Sequence, residues 1–271
     1  MVLIRAPLSL TSVLDESTEV VARTAAPWAA VLVATSVPYR LLQALFLDQL
    51  FEVGAGASRY GNLLGGTANL IVLATLLALW GRAVYARACR LALGRGTAPG
   101  REVWRVRPAA FASYVLTASA AIIAGALTIF TVVGYGAAVI LSGLAIGTME
   151  LNERVSLTRP FALLARYGNR PKVPIALVFV FFCGLFVAAA NVAFAFTLLV
   201  WLATAVGSID APNWPLLFSQ ENRRFLLMVF AGAVIAVEPF WVAAHVVFVR
   251  KAGVEESGDD LRAWFEELQR A

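Results

Sequence analysis

Three charged or titratable side chains lie inside otherwise apolar stretches of this sequence, where a charge needs a specific partner or role. Glu238 lies about 13 residues into the stretch Phe225–Val249, near the centre of a predicted membrane span, where an ionised acid costs about 2.5 kcal/mol or more. His245 follows on the same face of that helix, and Arg40 is the other mid-span charge. An acid at this depth either binds a proton or cation, forms a buried ion pair with Arg40, or stays protonated and hydrogen-bonded. The sequence leaves these interpretations open and marks the three residues as a candidate intramembrane polar site.

Ser142 and His245 suggest a second chemistry, because rhomboid-type intramembrane proteases place a serine motif and a histidine in two such spans. The glycine expected two residues before the serine is Ile140 here, and no glycine follows His245 within three residues. Counted from the predicted outer helix ends, Ser142 would lie about 12 Å deep and His245 about 30 Å deep, which predicts that they cannot share a hydrogen bond. One histidine and two distant cysteines, Cys89 and Cys183, do not supply the ligands of a metal centre. We therefore predict no catalytic, metal-binding or cofactor-binding residue and no enzymatic activity.

The composition is typical of a membrane protein. Hydrophobic residues make up 60% of the 271 positions and charged residues 14%, whereas soluble domains carry roughly 25% charged residues. The net charge of +5 does not predict nucleic-acid binding, because the arginines lie in short loops beside the spans. Arginine outnumbers lysine 20 to 2, a usage that, with the frequent alanine, indicates a GC-rich bacterial source.

Apolar stretches of membrane-spanning length predict an all-α, polytopic transmembrane bundle of about six spans. The 41 uncharged residues from Ala109 to Met149 would make one helix of about 60 Å, roughly twice the hydrocarbon thickness. We therefore predict two helices there, joined near Thr131 to Gly136. The other four spans are predicted at Ala26–Leu47, Asn62–Tyr85, Val173 to about Val206, and Phe225–Val249.

Basic residues are concentrated on one side of these spans. The predicted inner segments hold 18 Arg and Lys residues and the outer loops hold 3, which predicts cytoplasmic termini in a bacterial inner (plasma) membrane. Seven inner arginines fall between Arg82 and Pro108, where they set orientation, bind anionic lipid headgroups, or do both. These candidate headgroup contacts are Arg82, Arg87, Arg90, Arg95, Arg101, Arg105 and Arg107.

Amphipathic patterns flank the spans at both ends of the chain. Apolar positions from Leu8 to Val21 recur at helical spacing, with Ser9 or Thr11 as the predicted helix cap. Asp259–Ala271 predicts a second amphipathic helix, with Leu261, Trp264, Phe265 and Leu268 on one stripe. The predicted domains are a cytoplasmic N-terminal amphipathic segment at 1–25, a six-span domain at 26–250, and a cytoplasmic tail at 251–271.

Two glycine pairs and one asparagine lie inside the predicted spans. The pairs Gly143 to Gly147 and Gly61 to Gly65 are small-xxx-small patterns, which pack helices within one bundle or form dimer faces. Asn191, in the fifth span, predicts a hydrogen bond between helices rather than a ligand site.

The N-terminal run Pro7–Ser17, with the sequence PLSLTSVLDES, resembles the opening of the membrane domain associated with glycerophosphoryl diester phosphodiesterases. Val20, Arg23 and Trp28, the pair Glu153-Arg154, and Glu238-Pro239-Phe240-Trp241 near the end fit the same layout. The resemblance implies a six-span helical domain like those of related uncharacterised bacterial proteins. The family's named activity belongs to a separate catalytic barrel that uses histidines and acids, so it is not carried over to this chain with its one histidine.

The predicted function is that of a non-enzymatic inner-membrane component, a scaffold, assembly or lipid-organising protein. Its expected partners are the lipid bilayer, including anionic lipids, and another protein or a second copy of this chain. The alternative is a small transporter or transporter subunit that uses Glu238 as a proton or cation site.

Overall fold

The computed structural model describes residues 8–54, 61–95, 100–127, 132–149, 158–168, 172–206 and 222–258. Within these ranges every regular element is helical, which confirms the all-α prediction. The predicted C-terminal helix at Asp259–Ala271 lies outside the described residues. A 3₁₀ helix at Arg101–Trp104 accompanies eight α-helices: α1 Leu10–Thr24, α2 Ala30–Gly54, α3 Gly61–Arg95, α4 Pro108–Leu127, α5 Val132–Thr148, α6 Arg159–Tyr167, α7 Val173–Ala205 and α8 Arg223–Ser257.

Four of the described helical segments are long and apolar enough to cross a membrane, which supports the polytopic membrane class. They are Ala26–Phe51, Thr67–Gly94, Val173–Ala205 and Arg223–Ser257. The uncharged stretch at 109–149 forms two shorter helices, α4 and α5, as predicted, and they pack against each other. The junction was predicted too late in the chain, because α4 ends at Leu127 and α5 already begins at Val132. Their 20 and 17 residues correspond to about 30 Å and 25 Å of helix, so α4 alone matches the hydrocarbon thickness.

The amphipathic helix predicted near the N-terminus is α1. Ser9 caps it, because its hydroxyl accepts the Ser12 backbone N–H at 3.2 Å while the Ser12 hydroxyl accepts the Ser9 N–H at 3.3 Å. This reciprocal pair satisfies two backbone donors at the helix start. The buried positions of α1 recur at helical spacing: Val13, Ser17, Val20 and Thr24.

The junction between α1 and α2 lies at Ala26, whose φ of −124° and ψ of 127° are extended. Pro27 follows, and a residue before proline is biased away from the helical region by the proline ring. The proline at position 27 therefore separates the amphipathic helix from the first span.

Two helices extend past the basic residues that were predicted to end them. α3 runs to Arg95 rather than ending near Tyr85, and α8 continues past Val249 to Ser257. Arginine is a good helix former, and its long stem carries the charge to water, so a basic residue at the membrane boundary need not end a helix.

The chain divides into two compact units. Unit 1 comprises Met1–Leu32, Leu79–Val180 and Pro239–Ala271, and unit 2 comprises Val33–Ala78 and Phe181–Glu238. Tyr85, Tyr167 and Phe248 are among the largest fully buried side chains of unit 1. In unit 2, Leu185, Ala233 and Val234 form a buried apolar cluster.

Candidate functional site

Glu238 lies in α8 and is 4% exposed. Pro239, the next residue, is inside the same helix, and it has no N–H to donate to the carbonyl of Ile235. The predicted buried acid is therefore present, at a point where the helix lacks one backbone hydrogen bond.

Arg40, in α2, makes local contacts. Its Nη1 donates to Gln43 Oε1 at 2.8 Å, and its guanidinium carbon lies 4.9 Å from the centre of the Tyr39 ring. The ion pair between Arg40 and Glu238 stays a prediction.

His245 is fully buried in unit 1, seven residues beyond Glu238 on α8. Its Nδ1 lies 3.0 Å from the Trp241 carbonyl oxygen, and its ring centre lies 4.0 Å from that of Trp241. Because a carbonyl can only accept, Nδ1 carries the proton and Nε2 has the lone pair. Among the described residues, Nε2 has no hydrogen-bond partner.

The depth argument that separated His245 from the Ser142 region is wrong. A Cβ built on Gly143 would lie 2.3 Å from His245 Nε2, so α5 and α8 meet at this level. The argument fails because it assumed that the two helices begin at the same height, whereas α8 has 35 residues and α5 has 17. The Ser142 hydroxyl nevertheless donates to the Val139 carbonyl at 2.8 Å, an arrangement that differs from a nucleophile paired with its base.

Gly143 and Gly147 allow α5 to approach α8 closely. A Cβ on Gly147 would lie 2.5 Å from Val249 Cγ2 and 2.7 Å from the His245 carbonyl oxygen. Side chains at either position would collide with α8, so this pair packs helices within the bundle, as small-xxx-small patterns do. Gly61 and Gly65 belong to α3, but what packs against them lies outside the described part of the structure.

The seven arginines predicted to contact lipid fall into different environments. Arg82, Arg87, Arg90 and Arg95 belong to α3 rather than to a loop. Arg87 Nε donates to the Glu102 carbonyl at 3.0 Å, and Arg90 Nη2 donates to the Gly147 carbonyl at 3.0 Å. These two guanidiniums therefore tie segments of unit 1 together. Among those of the seven arginines whose side chains the structure describes, three are exposed, and we call them the basic rim: Arg101, Arg105 and Arg107.

A cluster of three tryptophans lies beside the basic rim. The Trp104 ring centre is 5.5 Å from that of Trp28 and 5.5 Å from that of Trp80, edge-on to the first and stacked on the second. Trp28 is 6% exposed, whereas Trp104 is 45% exposed. Tryptophan concentrates at membrane–water boundaries, and Trp104 presents a half-exposed ring of this kind.

An ion pair joins α1 to α8. Lys251 Nζ lies 2.9 Å from the Glu16 carboxylate, and their side chains are 5% and 22% exposed. A second contact holds the end of α1, because the hydroxyls of Thr24 and Tyr85 are 3.1 Å apart in a buried position. The amphipathic helix is thus fixed to the spans by polar bonds as well as by its apolar face.

The short helix α6 is joined to the same end of α8. Glu256 forms ion pairs with Arg159 and, at 3.4 Å, with Arg166. Tyr167 packs edge-on against Phe248, with ring centres 5.7 Å apart. Burial raises the pKa of the Tyr167 phenol, which keeps the hydroxyl protonated as donor to the Ala252 carbonyl at 3.4 Å.

Unit 2 contains an ion cluster that was not predicted. Arg223 donates through Nε and Nη2 to one Asp48 oxygen at 3.0 and 2.7 Å, and Arg224 Nε donates to the other at 2.9 Å. This cluster ties the end of α2 to the start of α8. In the sequence, Asp48 follows the first predicted span and the two arginines precede the last one, but no sequence pattern indicates that they pair.

Comparison of the chain with protein-family models, curated proteins and solved structures finds no match. The resemblance to the phosphodiesterase-associated membrane domain therefore stays a prediction. In the part of the chain that the structure describes, no three His, Cys, Asp or Glu side chains are grouped to hold a metal ion.

Proposed function

We propose that this chain is a non-enzymatic protein of a bacterial inner membrane, with six spans and cytoplasmic termini, that organises anionic lipid as a scaffold or assembly component. The observation that carries the lipid proposal is the basic rim beside the tryptophan cluster. The contact between α4 and α5 and the basic segments on both flanks of that hairpin support counting each as a span.

Two arginines of the basic rim, Arg101 and Arg105, are available to a ligand. Arg101 and Arg105 are exposed, and among the described residues no ion pair or side-chain hydrogen bond engages them. Arg87 donates to the backbone of the same short 3₁₀ helix, which fixes the segment that presents them. The fixed segment therefore presents the positive charges of Arg101 and Arg105 beside the half-exposed ring of Trp104. Anionic lipid headgroups are attracted by such charges, and tryptophan rings lie among headgroups at the membrane–water boundary.

Replacing Arg101 and Arg105 with glutamine should weaken retention of phosphatidylglycerol by the purified protein. Each arginine near an anionic surface contributes about 1 kcal/mol, or roughly fivefold in binding. The measurement is the ratio of phosphatidylglycerol to phosphatidylcholine that remains bound after washing in mixed micelles. The matched control is Lys172→Gln, which removes an exposed base from the start of α7.

The lipid proposal requires the ratio to fall for the arginine variant and to stay within twofold for Lys172→Gln. Equal ratios for the wild type and the arginine variant would contradict it. An equal loss per removed charge in both variants would indicate attraction by net charge without a site, because the arginine variant removes two charges and Lys172→Gln removes one.

The second candidate function is transport, and the observation that favours it is the buried carboxyl of Glu238 in α8. If Glu238 carries protons, Glu238→Gln should leave the protein folded and abolish a proton flux measured with a pH-sensitive dye in proteoliposomes. Asp48→Asn is the control, because it changes an acid in the ion cluster at the helix ends. Absence of flux in the wild-type protein would exclude proton transport under those conditions and leave the lipid proposal unaffected.

A further inference from the structure

One side of α7 packs within unit 2. Leu185 belongs to the apolar cluster with Ala233 and Val234 of α8, and Ala188 and Ala189 pack against that cluster. A Cβ on Gly232 would lie 3.1 Å from Val192 Cγ1, and the rings of Phe196 and Phe225 are 6.3 Å apart. These contacts define the face of α7 that α8 covers.

A second face of α7 is uncovered. It consists of six exposed residues: Val187, Asn191, Phe194, Ala195, Leu198 and Leu202. These residues recur at spacings of mostly three and four, so they lie on one side of the helix. Every residue from 194 to 199 is exposed, so this part of α7 is less covered than the turn around Leu185, which is 7% exposed.

Asn191 is the polar member of the uncovered face. It lies near the middle of the 33-residue helix, and its Nδ2 donates to the Val187 carbonyl of the same helix at 2.8 Å. Its side-chain carbonyl has no hydrogen-bond partner among the described residues, and one amide N–H is left over. In hydrocarbon no water satisfies these groups, so leaving them exposed to lipid is unfavourable.

We propose that the face of α7 centred on Asn191 is the interface of a parallel homodimer. Two copies inserted in one orientation share a two-fold axis along the membrane normal, which brings identical residues together at one depth. An amide is both donor and acceptor, so Asn191 of each copy satisfies Asn191 of the other. A different protein would need a polar group at the same depth, whereas a second copy supplies it automatically.

The proposal requires α7 to lie in the bilayer, as in the proposed function, but it does not depend on lipid binding. The predicted bond from Asn191 to another helix is not formed among the described residues, because its amide donates to Val187 of its own helix. The proposal places that bond between two molecules instead. The apolar neighbours on this face, including the small residue Ala195, allow a second helix to approach the amide.

The test is oxidative cross-linking of the full-length protein reconstituted in phosphatidylcholine vesicles at several protein-to-lipid ratios. In a Cys183→Ser background, Ala195→Cys should form a cross-linked dimer. The native thiol Cys183 is exposed, but it lies about 120° around the helix from position 195, so it should cross-link several-fold less. Asn191→Leu should weaken association roughly three- to twentyfold, and Asn191→Gln should preserve it.

The control is Thr197→Val, which removes an exposed hydroxyl that bonds to Ala193 on another face of α7 and should leave the dimer unchanged. Equal cross-linking of the Ala195→Cys protein with and without Asn191→Leu would overturn the proposal, as would a monomer at every ratio or cross-linking in native membranes solely to a different protein. Carbonate extraction of each variant reports membrane insertion separately. A protein that is inserted but monomeric therefore contradicts the dimer alone, while one released by carbonate contradicts the proposed function.

Discussion

Replacing Gly143 with alanine should lower the free energy of unfolding by about 1–3 kcal/mol, the usual range for overpacking a tight core. The new methyl group would lie 2.3 Å from Nε2 of His245. His245 is fully buried, and its ring is held by the contact of Nδ1 with the Trp241 carbonyl, so it cannot turn aside without losing that bond. Unfolding by SDS titration in mixed micelles measures the change.

Gly136→Ala is the matched control on the same helix. No atom lies within 4 Å of a Cβ at Gly136, so alanine there should be neutral or should stabilise α5 by up to about 1 kcal/mol through helix propensity. A loss equal to that of Gly143→Ala would indicate that α5 is sensitive to any substitution, and would contradict an effect of the close contact.

Adding His245→Ala should remove most of the penalty at Gly143 but not at Gly147. At Gly147 the nearest atoms include the backbone carbonyl of His245, 2.7 Å away, which a side-chain change leaves in place. The coupling energy from each double-mutant cycle tests this difference. Equal coupling at the two glycines would rule out the side chain of His245 as the obstacle.

The sequence predicted the elements of this fold better than their ends. Length and the absence of charge correctly divided 109–149 into two helices, and apolar spacing correctly predicted α1. The sequence offered Ser9 and Thr11 as its caps, and Ser9 is the one that accepts the Ser12 N–H. The end of α3 was placed too early because charge was taken to end the helix. A charged residue indicates where the chain reaches water, but a helix continues into water when its residues have high helix propensity.

The contacts between distant segments were not predictable from the sequence. Asp48 pairs with residues 175 and 176 positions away, and Glu16 pairs with Lys251 near the other end of the chain. Such pairs form only after the helices have packed, and a single sequence does not give the relative heights or rotations of its helices. The incorrect depth of His245 has the same origin.

For the candidate site, the sequence correctly predicted a buried acid at Glu238. It could not distinguish structural arginines from exposed ones. Arg90 and Arg105 are equally basic in the sequence, yet Arg90 bonds to the Gly147 carbonyl and Arg105 is exposed. What separates them is whether a carbonyl of another helix lies within reach of the guanidinium.

Replacing Glu16 with alanine should lower the free energy of unfolding by about 2–3 kcal/mol, because it leaves a buried Lys251 ammonium without its counter-charge. The loss should be below the roughly 3–5 kcal/mol of a fully buried pair, since the Glu16 side chain is 22% exposed. The same SDS titration measures it. Limited proteolysis should then cut α1 faster than in the wild type, because the ion pair that holds the helix to α8 is lost.

Glu19→Ala is the control for this change. Glu19 lies on the same helix and pairs with Arg23 one turn away, but its side chain is 57% exposed, and an exposed pair of this kind contributes about 0.3–0.5 kcal/mol. Both variants remove one acid from α1, so they change its net charge equally. Similar losses for Glu19→Ala and Glu16→Ala would mean that the charge of α1, rather than the pair with Lys251, holds the helix.

The double variant Glu16→Leu with Lys251→Met should recover most of the stability that Glu16→Ala loses. A buried ion pair can be replaced by apolar side chains of similar size with little loss, whereas removal of one partner leaves the other charge without compensation. The recovered protein would retain α1 docked on α8 without the charges. If the double variant is no more stable than Glu16→Ala, the stability lost in Glu16→Ala does not come from an uncompensated charge on Lys251.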